Sequence, residues 1–193
     1  TLVKADTINL AMFEPRNFNV YESNDEDIFY INQLVYSSLF KLDKNLNITP
    51  DVVSKYSVDT SSGEVNIRLK ENVKFSDGSD LESSDVKASV DRIIAAESRS
   101  PYFVYASKIN HIQINDSKNF TVVFNSASDA ALDNLIFPIT SAGEYNKGES
   151  FAIGSGPYAY SGHESGKTLK LAVNKYYYDG IAKLPIVFNI VKD

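Results

Sequence analysis

The sequence predicts a mixed α/β (α+β) fold, and neither a β-sandwich nor a helical bundle. Two stretches place apolar residues at helical spacing and are long enough for substantial helices. Segments with alternating apolar and polar residues outnumber these helical stretches. The chain has 193 residues, of which 43% are hydrophobic, so it can bury a real core as one large domain or two small ones.

The first quarter of the chain predicts a strand, a loop and a long helix. Apolar residues alternate with polar or small ones over 7–12, which is typical of a half-buried strand. The helix is predicted over 26–40, where apolar residues recur on one face, and Asp25 or Asn24 is available as its N-cap. The stretch KLDKNLNITP then predicts a turn between two short extended pieces.

The middle of the chain predicts two hairpins with a helix between them. In KYSVDTSSGEVNIRLK, alternating arms flank a turn at Ser61-Ser62-Gly63. HIQIND and NFTVVFN form the second pair, turned at DSKN. The second long helix is predicted from about 83 to 97.

The remaining segments predict short helices, a polar link and further strands. SPYFVYASKI and DAALDNLIF each suit a short helix, and TSAGEYNKGES suits a link between subdomains. Three strands are predicted near the end, in GPYAYSGH, KTLKLAVN and LPIVFNIV.

Charge and composition exclude several classes of protein. The formal charge is -6, with 19 basic residues scattered among 25 acidic ones, which argues against nucleic-acid binding. The chain has no cysteine, so disulfides, thiolate nucleophiles and Cys-based metal sites are excluded. It has neither an apolar run of about 18 residues that would span a bilayer nor a signal peptide. An exported protein would therefore be present here in a trimmed form.

The sequence shows no catalytic constellation. His111 and His163 lie far apart, and neither has a second histidine or an acid at metal-ligand spacing. In GSGPY a serine lies between glycines, but Pro157 follows where a nucleophile elbow needs a helix to begin. We therefore expect no enzymatic activity and no cofactor.

One stretch is similar to a known signature. VKFSDGSDLESSDVKASVDRI resembles the hydrophobic-x-F-x-D-G run and following helix of the family 5 extracellular solute-binding proteins, the oligopeptide and dipeptide receptors of ABC importers. The matching residues are Phe75, Asp77, Gly78, Leu81, Asp85 and Val86. Glu82 stands where this family usually has a Thr or Ser cap, so Ser83 or Ser84 is expected to cap the helix instead.

Further motifs follow in the order that this family shows. IRLKENVKF resembles its strand before the signature, IGSGPYAY resembles [IV]-G-T-G-P-Y, and LAVNKYYYDG resembles L-x-R-N-x-x-Y-W-x-G. With LVYSSLFKLDKNLNITPDVVSKYSVD before them, the resemblance covers nearly the whole chain.

The resemblance implies a periplasmic-binding-protein-like class II fold, of which this chain is the first lobe. Residues 1–43 and 146–193 are expected to form a mixed sheet with flanking helices, and 44–145 an inserted β-rich subdomain. Members of this family are much longer, so the second lobe is expected to be absent from this chain. Asp77-Gly78 is expected to be a structural turn and not a ligand site.

The resemblance also implies a function without chemistry. Two lobes would close over a peptide and deliver it to the ABC permease subunits in the membrane. The protein is expected to be a monomer at the extracellular face of the membrane, lipid-anchored or periplasmic. Two alternatives remain open: a non-peptide solute (nickel, haem, an opine or an oligosaccharide), or a free-standing interaction module if the truncation is natural.

Four residues are predicted to contact the ligand. Tyr102 belongs to a Ser-Pro-Tyr stretch that resembles a ligand contact of the peptide receptors. Asn24, Asp25 and Glu26 match the loop before the first long helix, which also contacts ligand in this family. The alternatives are a half-buried tyrosine at the edge of the core for Tyr102 and a plain helix cap for the other three.

Overall fold

A computed structural model describes residues 6–143 and 151–192 of the chain. Within these ranges the strands are β1 (Ile8–Phe13), β2 (Phe40–Leu42), β3 (Ile48–Pro50), β4 (Val53–Asp59), β5 (Glu64–Leu69), β6 (Ile109–Ile114), β7 (Asn119–Phe124), β8 (Tyr158–Glu164), β9 (Thr168–Val173) and β10 (Ile186–Val191). The α-helices are α1 (Glu26–Val35), α2 (Ser83–Ala96) and α3 (Phe103–Ala106). Short 3-10 turns occupy Glu97–Arg99 and Ala131–Leu135.

The strands form three sheets. The first sheet has the order β1-β10-β9-β8, and β1 runs parallel to β10 while the other pairs are antiparallel. The second is the short hairpin β2-β3, and the third has the antiparallel order β4-β5-β7-β6. This mixture of sheets and helices confirms the predicted fold class.

A continuous core holds the three sheets and the helices together. In β5 the apolar side chains Val65, Ile67 and Leu69 are buried and alternate with outward polar residues, as the pattern predicts. On α2, Val86 and Ile93 face the same core, and the helix packs against α3 and β6. In the described ranges no helix has the length and apolar character needed to cross a membrane.

The division into two parts remains a prediction. All strands of the first sheet come from segments 1–43 and 146–193, and all strands of the third sheet come from 44–145. The hairpin β2-β3 pairs residues on both sides of the boundary between 43 and 44. The other boundary, together with residues 144–150 of the predicted link, lies outside the described residues.

Helix α1 is shorter than predicted and ends at Val35 instead of near residue 40. Tyr36 already has an extended conformation, although its N–H still donates to Asn32 O. The carbonyl of Val35 accepts a hydrogen bond from Gly156 N at 2.9 Å. The segment before β8 therefore pairs with the carbonyl at the end of the helix. Leu39 and Phe40 are fully buried although they lie beyond the helix.

The predicted cap of α2 is wrong. Glu82 is the N-cap residue, and its N–H donates to Asp85 Oδ2 at 2.8 Å, as in a capping box. The hydroxyl of Ser83 is buried without a hydrogen-bond partner in the described structure, so it does not cap the helix. Asp85, the third residue of the helix, therefore supplies the side-chain acceptor for the N–H group of Glu82.

Motifs that are far apart in the sequence meet at one place. Ser76 N, beside the Asp-Gly turn, donates to Gly154 O at 3.0 Å. Asn174 Nδ2 donates to Gly156 O at 2.8 Å, and Asn174 Oδ1 accepts from Tyr176 N. The ring of Tyr176 then lies against Gly78. These motifs therefore build the junction between the first sheet and the segment before α2.

The turn at Asp77-Gly78 is confirmed. Asp77 Oδ1 accepts hydrogen bonds from Ser79 N at 2.9 Å and Ser79 Oγ at 2.6 Å, while Gly78 N donates to Phe75 O. Gly78 has a φ of +93°, which an L-residue with a side chain rarely adopts.

Candidate functional site

A crevice lies at the carboxyl ends of the parallel strands β1 and β10. In open α/β sheets, ligands bind outside the carboxyl ends of parallel strands. Two adjoining cavities occupy this position, of about 260 Å³ and about 340 Å³, and both are lined by Phe13 and Glu14. The smaller one is also lined by Pro15, Asp25, Glu26 and Asp27, and the larger one by Ser165, Gly166, Ile190, Val191 and Lys192. Phe13, which contributes to the walls of both, is 54% exposed.

Carboxylates hold the loop between β1 and α1 in place. Asp25 Oδ2 accepts from Arg16 N at 2.9 Å and from Asn17 N at 3.4 Å. Asp27 Oδ2 accepts from Phe13 N at 3.3 Å, so the first turn of α1 is joined to the end of β1. One oxygen of Asp25 is thus engaged in shaping the loop.

The start of the same loop is anchored by Glu14. Its Oε1 lies 3.0 Å from His163 Nε2, and its Oε2 accepts from Gly166 N at 2.7 Å. The Gly166 N–H is the main reason that the pKa of Glu14 lies below its usual range, with Ser165 and His163 contributing in the same direction. Glu14 is therefore held as a carboxylate at neutral pH.

A row of aromatic rings lies behind this anchor. The rings of Phe18 and His163 are 4.6 Å apart, Phe18 meets Phe151 edge-on at 4.9 Å, and Phe151 stacks on Tyr160 at 4.1 Å. Tyr160 in turn donates to Asn32 Oδ1 at 2.9 Å. The row joins the loop, β8 and α1 into one packed unit.

Tyr102 is not among the residues that line the crevice. It belongs to the core, its side chain is only 7% exposed, and its N–H donates to Ser100 Oγ. Burial raises the pKa of its hydroxyl, and the nearby phenols of Tyr21 and Tyr105 raise it further. Tyr21 is fully buried and donates to Pro138 O at 2.9 Å. The loop therefore reaches from the crevice at Glu14 to the surroundings of Tyr102.

The predicted contact residues are only partly brought together. Asp25 and Glu26 line the crevice, the exposed Asn24 precedes them, and Tyr102 is mostly buried away from it. Sequence reasoning missed Glu14 and His163. The only sequence signal for Glu14 is an acidic residue directly after a strand, which gains meaning once β1 pairs with β10. The roles of all four predicted residues in ligand binding remain predictions.

The described residues do not offer a metal-binding cluster. No three side chains of His, Asp or Glu come close enough within 6–143 and 151–192 to hold a metal ion together. The contact of His163 with Glu14 involves one histidine and one carboxylate, so by itself it does not form a metal-binding cluster.

The family model for bacterial extracellular solute-binding proteins, family 5 Middle, matches residues 47–193. The chain belongs to this family. The match includes the signature segment, both hairpins and strands β8 to β10.

Curated relatives are similar over most of this chain. The glutathione-binding protein GsiB of Salmonella paratyphi A is 24% identical over 172 residues, which cover 85% of this chain and 34% of the relative. The oligopeptide-binding protein AppA of Bacillus subtilis is 25% identical over 210 residues, which cover 97% of this chain and 37% of the relative. The chain thus spans about a third of the length of these relatives.

Solved structures confirm the periplasmic-binding-protein-like fold. AgaA of A. tumefaciens R10, in complex with agropinic acid, has a TM-score of 0.86 at 22% identity, and NikZ of Campylobacter jejuni, in complex with Ni(L-His), has 0.84 at 22%. AppA of Bacillus subtilis, in complex with a nonapeptide, has 0.83 at 20%. Each comparison covers 97–98% of this chain and 40% of the solved chain.

Proposed function

We propose that this chain is part of the solute-binding component of a bacterial ABC importer, and that its solute is a peptide. The chain supplies one wall of a site that a second lobe closes. The complete protein captures the peptide outside the cytoplasmic membrane and delivers it to permease subunits. The work is done by binding and closure, without a chemical step.

The family match over residues 47–193 carries this proposal. Two further observations support the peptide class. The curated relatives GsiB and AppA are named for glutathione, itself a tripeptide, and for oligopeptides. The half-exposed Phe13 also offers apolar surface in the crevice on which a peptide side chain would pack.

A non-peptide solute is the second candidate. Proteins of the same fold are named for complexes with Ni(L-His) and with agropinic acid, an opine. A free-standing interaction module is the third, and it predicts that no small solute binds the crevice.

Titration of the ¹⁵N-labelled chain separates these candidates. The probes are a tetrapeptide mixture, glutathione, the nickel–histidine complex, agropinic acid, haem and a cello-oligosaccharide. Because one wall alone buries only half of a ligand, we expect peptides to shift the amide signals of Asn24, Asp25 and Glu26 with a dissociation constant of about 1 mM. If only a non-peptide probe saturates the signals, the solute is not a peptide but belongs to the class of that probe. If no probe saturates them, the chain is better explained as an interaction module.

Tyr102→Phe tests the remaining predicted contact. The substitution removes only the hydroxyl and keeps the buried ring, so the core is preserved. If Tyr102 contacts the solute, peptide binding weakens by a factor of about 3–10, the effect of one hydrogen bond, whereas its burial outside the crevice predicts no change. Tyr105→Phe is the matched control, because Tyr105 lies on the short helix that Tyr102 precedes and is 38% exposed. Equal affinities of both variants would remove Tyr102 from the site.

A further inference from the structure

We propose that Glu14 is the positioning residue for the loop that carries the predicted solute contacts. The inference rests on the proposed function, because the importance of the loop follows from that function. Glu14 is the first residue after β1. At this point the loop that leads to α1 contacts the turn between β8 and β9. Both of its carboxylate oxygens are engaged there, one with His163 and one with Gly166 N, so it acts through the loop and not on the solute.

The loop is fixed at both of its ends by carboxylates. Glu14 joins the first end to the turn between β8 and β9, and Asp25 closes the second end onto the N–H groups of Arg16 and Asn17. Glu14 also contributes to the walls of both cavities of the crevice. A loop released at Glu14 would therefore alter the crevice itself.

A bulge in β8 places His163 where Glu14 can reach it. Tyr160 pairs with Leu171 and His163 pairs with Leu169, so the extra residue Ser161 shifts the register by one. Without the bulge, the alternation along β8 would turn His163 to the opposite face from Tyr160. With it, the histidine packs against Phe18 of the loop at 4.6 Å. The edge strand is thus shaped to receive the loop at two adjoining points.

The anchoring by Glu14 depends on pH because Glu14 itself titrates, and several charged groups surround it. On its own segment lies Arg16; the β8–β9 hairpin contributes His163, Glu164 and Lys167, of which the last two pair with each other. The smaller cavity adds Asp25, Glu26 and Asp27, and the larger one adds Lys192. Because the pKa of Glu14 is lowered in the folded chain, the anchor is complete above the usual glutamate range and is lost as pH falls through the lowered value.

The experiment compares Glu14→Ala, Glu14→Gln and Glu164→Gln with the unchanged chain. Amide hydrogen exchange at Arg16 and Asn17 reports the loop, and titration with the tetrapeptide mixture reports the crevice. We expect roughly tenfold faster exchange and several-fold weaker binding in Glu14→Ala. Glu14→Gln should show slower exchange and tighter binding than Glu14→Ala, because its amide oxygen still accepts from Gly166 N. Glu164→Gln, which alters a neighbouring exposed acid, should change neither.

A pH profile provides the readout that a general loss of packing would not give. In the unchanged chain, the amide signal of Gly166, which donates to Glu14, should move in acid together with the titration of Glu14, and this movement should be absent in Glu14→Gln. Unchanged exchange and an unchanged pH profile in Glu14→Ala would overturn the proposal. If the loop loosens as expected while the unchanged chain binds no probe, the positioning role stands and the proposed function fails.

Discussion

Gly154 and Gly156 allow two backbone segments to approach closely. A Cβ added at Gly154 would lie 2.2 Å from the carbonyl oxygen of Val35, and one added at Gly156 would lie 2.6 Å from that of Leu34. Both neighbours are backbone atoms at the end of α1 and cannot move aside as a flexible side chain can. The glycines are therefore needed for contact and not for a left-handed conformation.

Gly154→Ala is expected to lower the free energy of unfolding by about 3 kcal/mol or more, because α1 and the segment before β8 must separate. Gly162→Ala is the control, since a Cβ there meets nothing within 4 Å. Denaturant unfolding measures both variants. Equal stability of the two would show that the segment can shift at little cost.

Asp59 stabilises the tip of the β4–β5 hairpin. Its Oδ1 accepts from the hydroxyl of Ser61 at 2.5 Å and from the N–H groups of Ser61 and Ser62, with the Ser61 hydroxyl as the largest cause, and these bonds lower its pKa to about 2. A carboxylate with a lowered pKa stabilises the fold above its unfolded value near 3.8 and loses this effect as pH falls through 2.

We therefore expect Asp59→Asn to be less stable than the unchanged chain above pH 4 and to approach its stability near pH 2. Thermal unfolding across pH 2–6 measures the difference. Asp129→Asn, in the exposed loop after β7, is the control for a simple change of net charge. A constant difference across this range would mean that Asp59 does not act through its charge.

At the scale of elements, helix α2 uses its polar face to hold the segment after the second 3-10 turn. Arg92 donates to Thr140 Oγ1 at 2.7 Å, to Ser141 O at 2.8 Å and to Ala142 O at 2.9 Å. Asp85 Oδ1 accepts from Ala142 N at 2.7 Å, and burial raises the pKa of this carboxyl. The helix of the signature thus fixes the chain that leads back to the first sheet.

Arg92→Met should lower stability by about 1–3 kcal/mol, because three acceptors of the segment lose their donor while the apolar stem is kept. Lys87→Met on the same helix is the control, since its exposed pair with Asp91 contributes only about 0.3–0.5 kcal/mol. Denaturant melts of both variants check the comparison. A loss no larger than that of Lys87→Met would mean that the segment is held by its apolar neighbours.

At the scale of the whole molecule, Asp51 joins the predicted insert to the first sheet's part of the chain. Its Oδ1 accepts from Tyr178 Oη at 2.5 Å and lies 2.9 Å from Lys41 Nζ, and Oδ2 accepts from Ser38 N. Lys70 donates to Asp51 O and lies over the Tyr178 ring. Burial raises the pKa of Tyr178, so its phenol remains a proton donor.

Tyr178→Phe should lower the free energy of unfolding by about 1–3 kcal/mol, because the buried carboxylate of Asp51 loses a donor. Tyr30→Phe is the control, since Tyr30 is 58% exposed on α1 and the substitution removes the same hydroxyl from the surface. If the contact couples the two parts, circular dichroism and fluorescence melts of Tyr178→Phe will begin to differ, whereas those of the unchanged chain coincide. Coinciding melts in both variants would show that the apolar core alone keeps unfolding cooperative.

Local patterns predicted much of the fold. The arms of both hairpins and helix α2 were predictable, because alternation and helical spacing report which side of an element is buried. The end of α1 was not, since it depends on a hydrogen bond from Gly156, which lies far along the chain. Asp25 and Glu26, which the resemblance predicts as ligand contacts, line the crevice, and their role in binding stays a prediction. Glu14 becomes recognisable only when the loop meets the β8–β9 turn.

By itself, the sequence determined the fold class, the family and the absence of cysteine chemistry, because these depend on composition, periodicity and the order of motifs. Only the tertiary structure decided which side chains share the crevice, that Asp25 shapes its own loop, and that Tyr102 is mostly buried. The physical reason is that these properties arise from pairing between distant segments, above all the parallel contact of β1 with β10 and the bulge that brings His163 to Glu14.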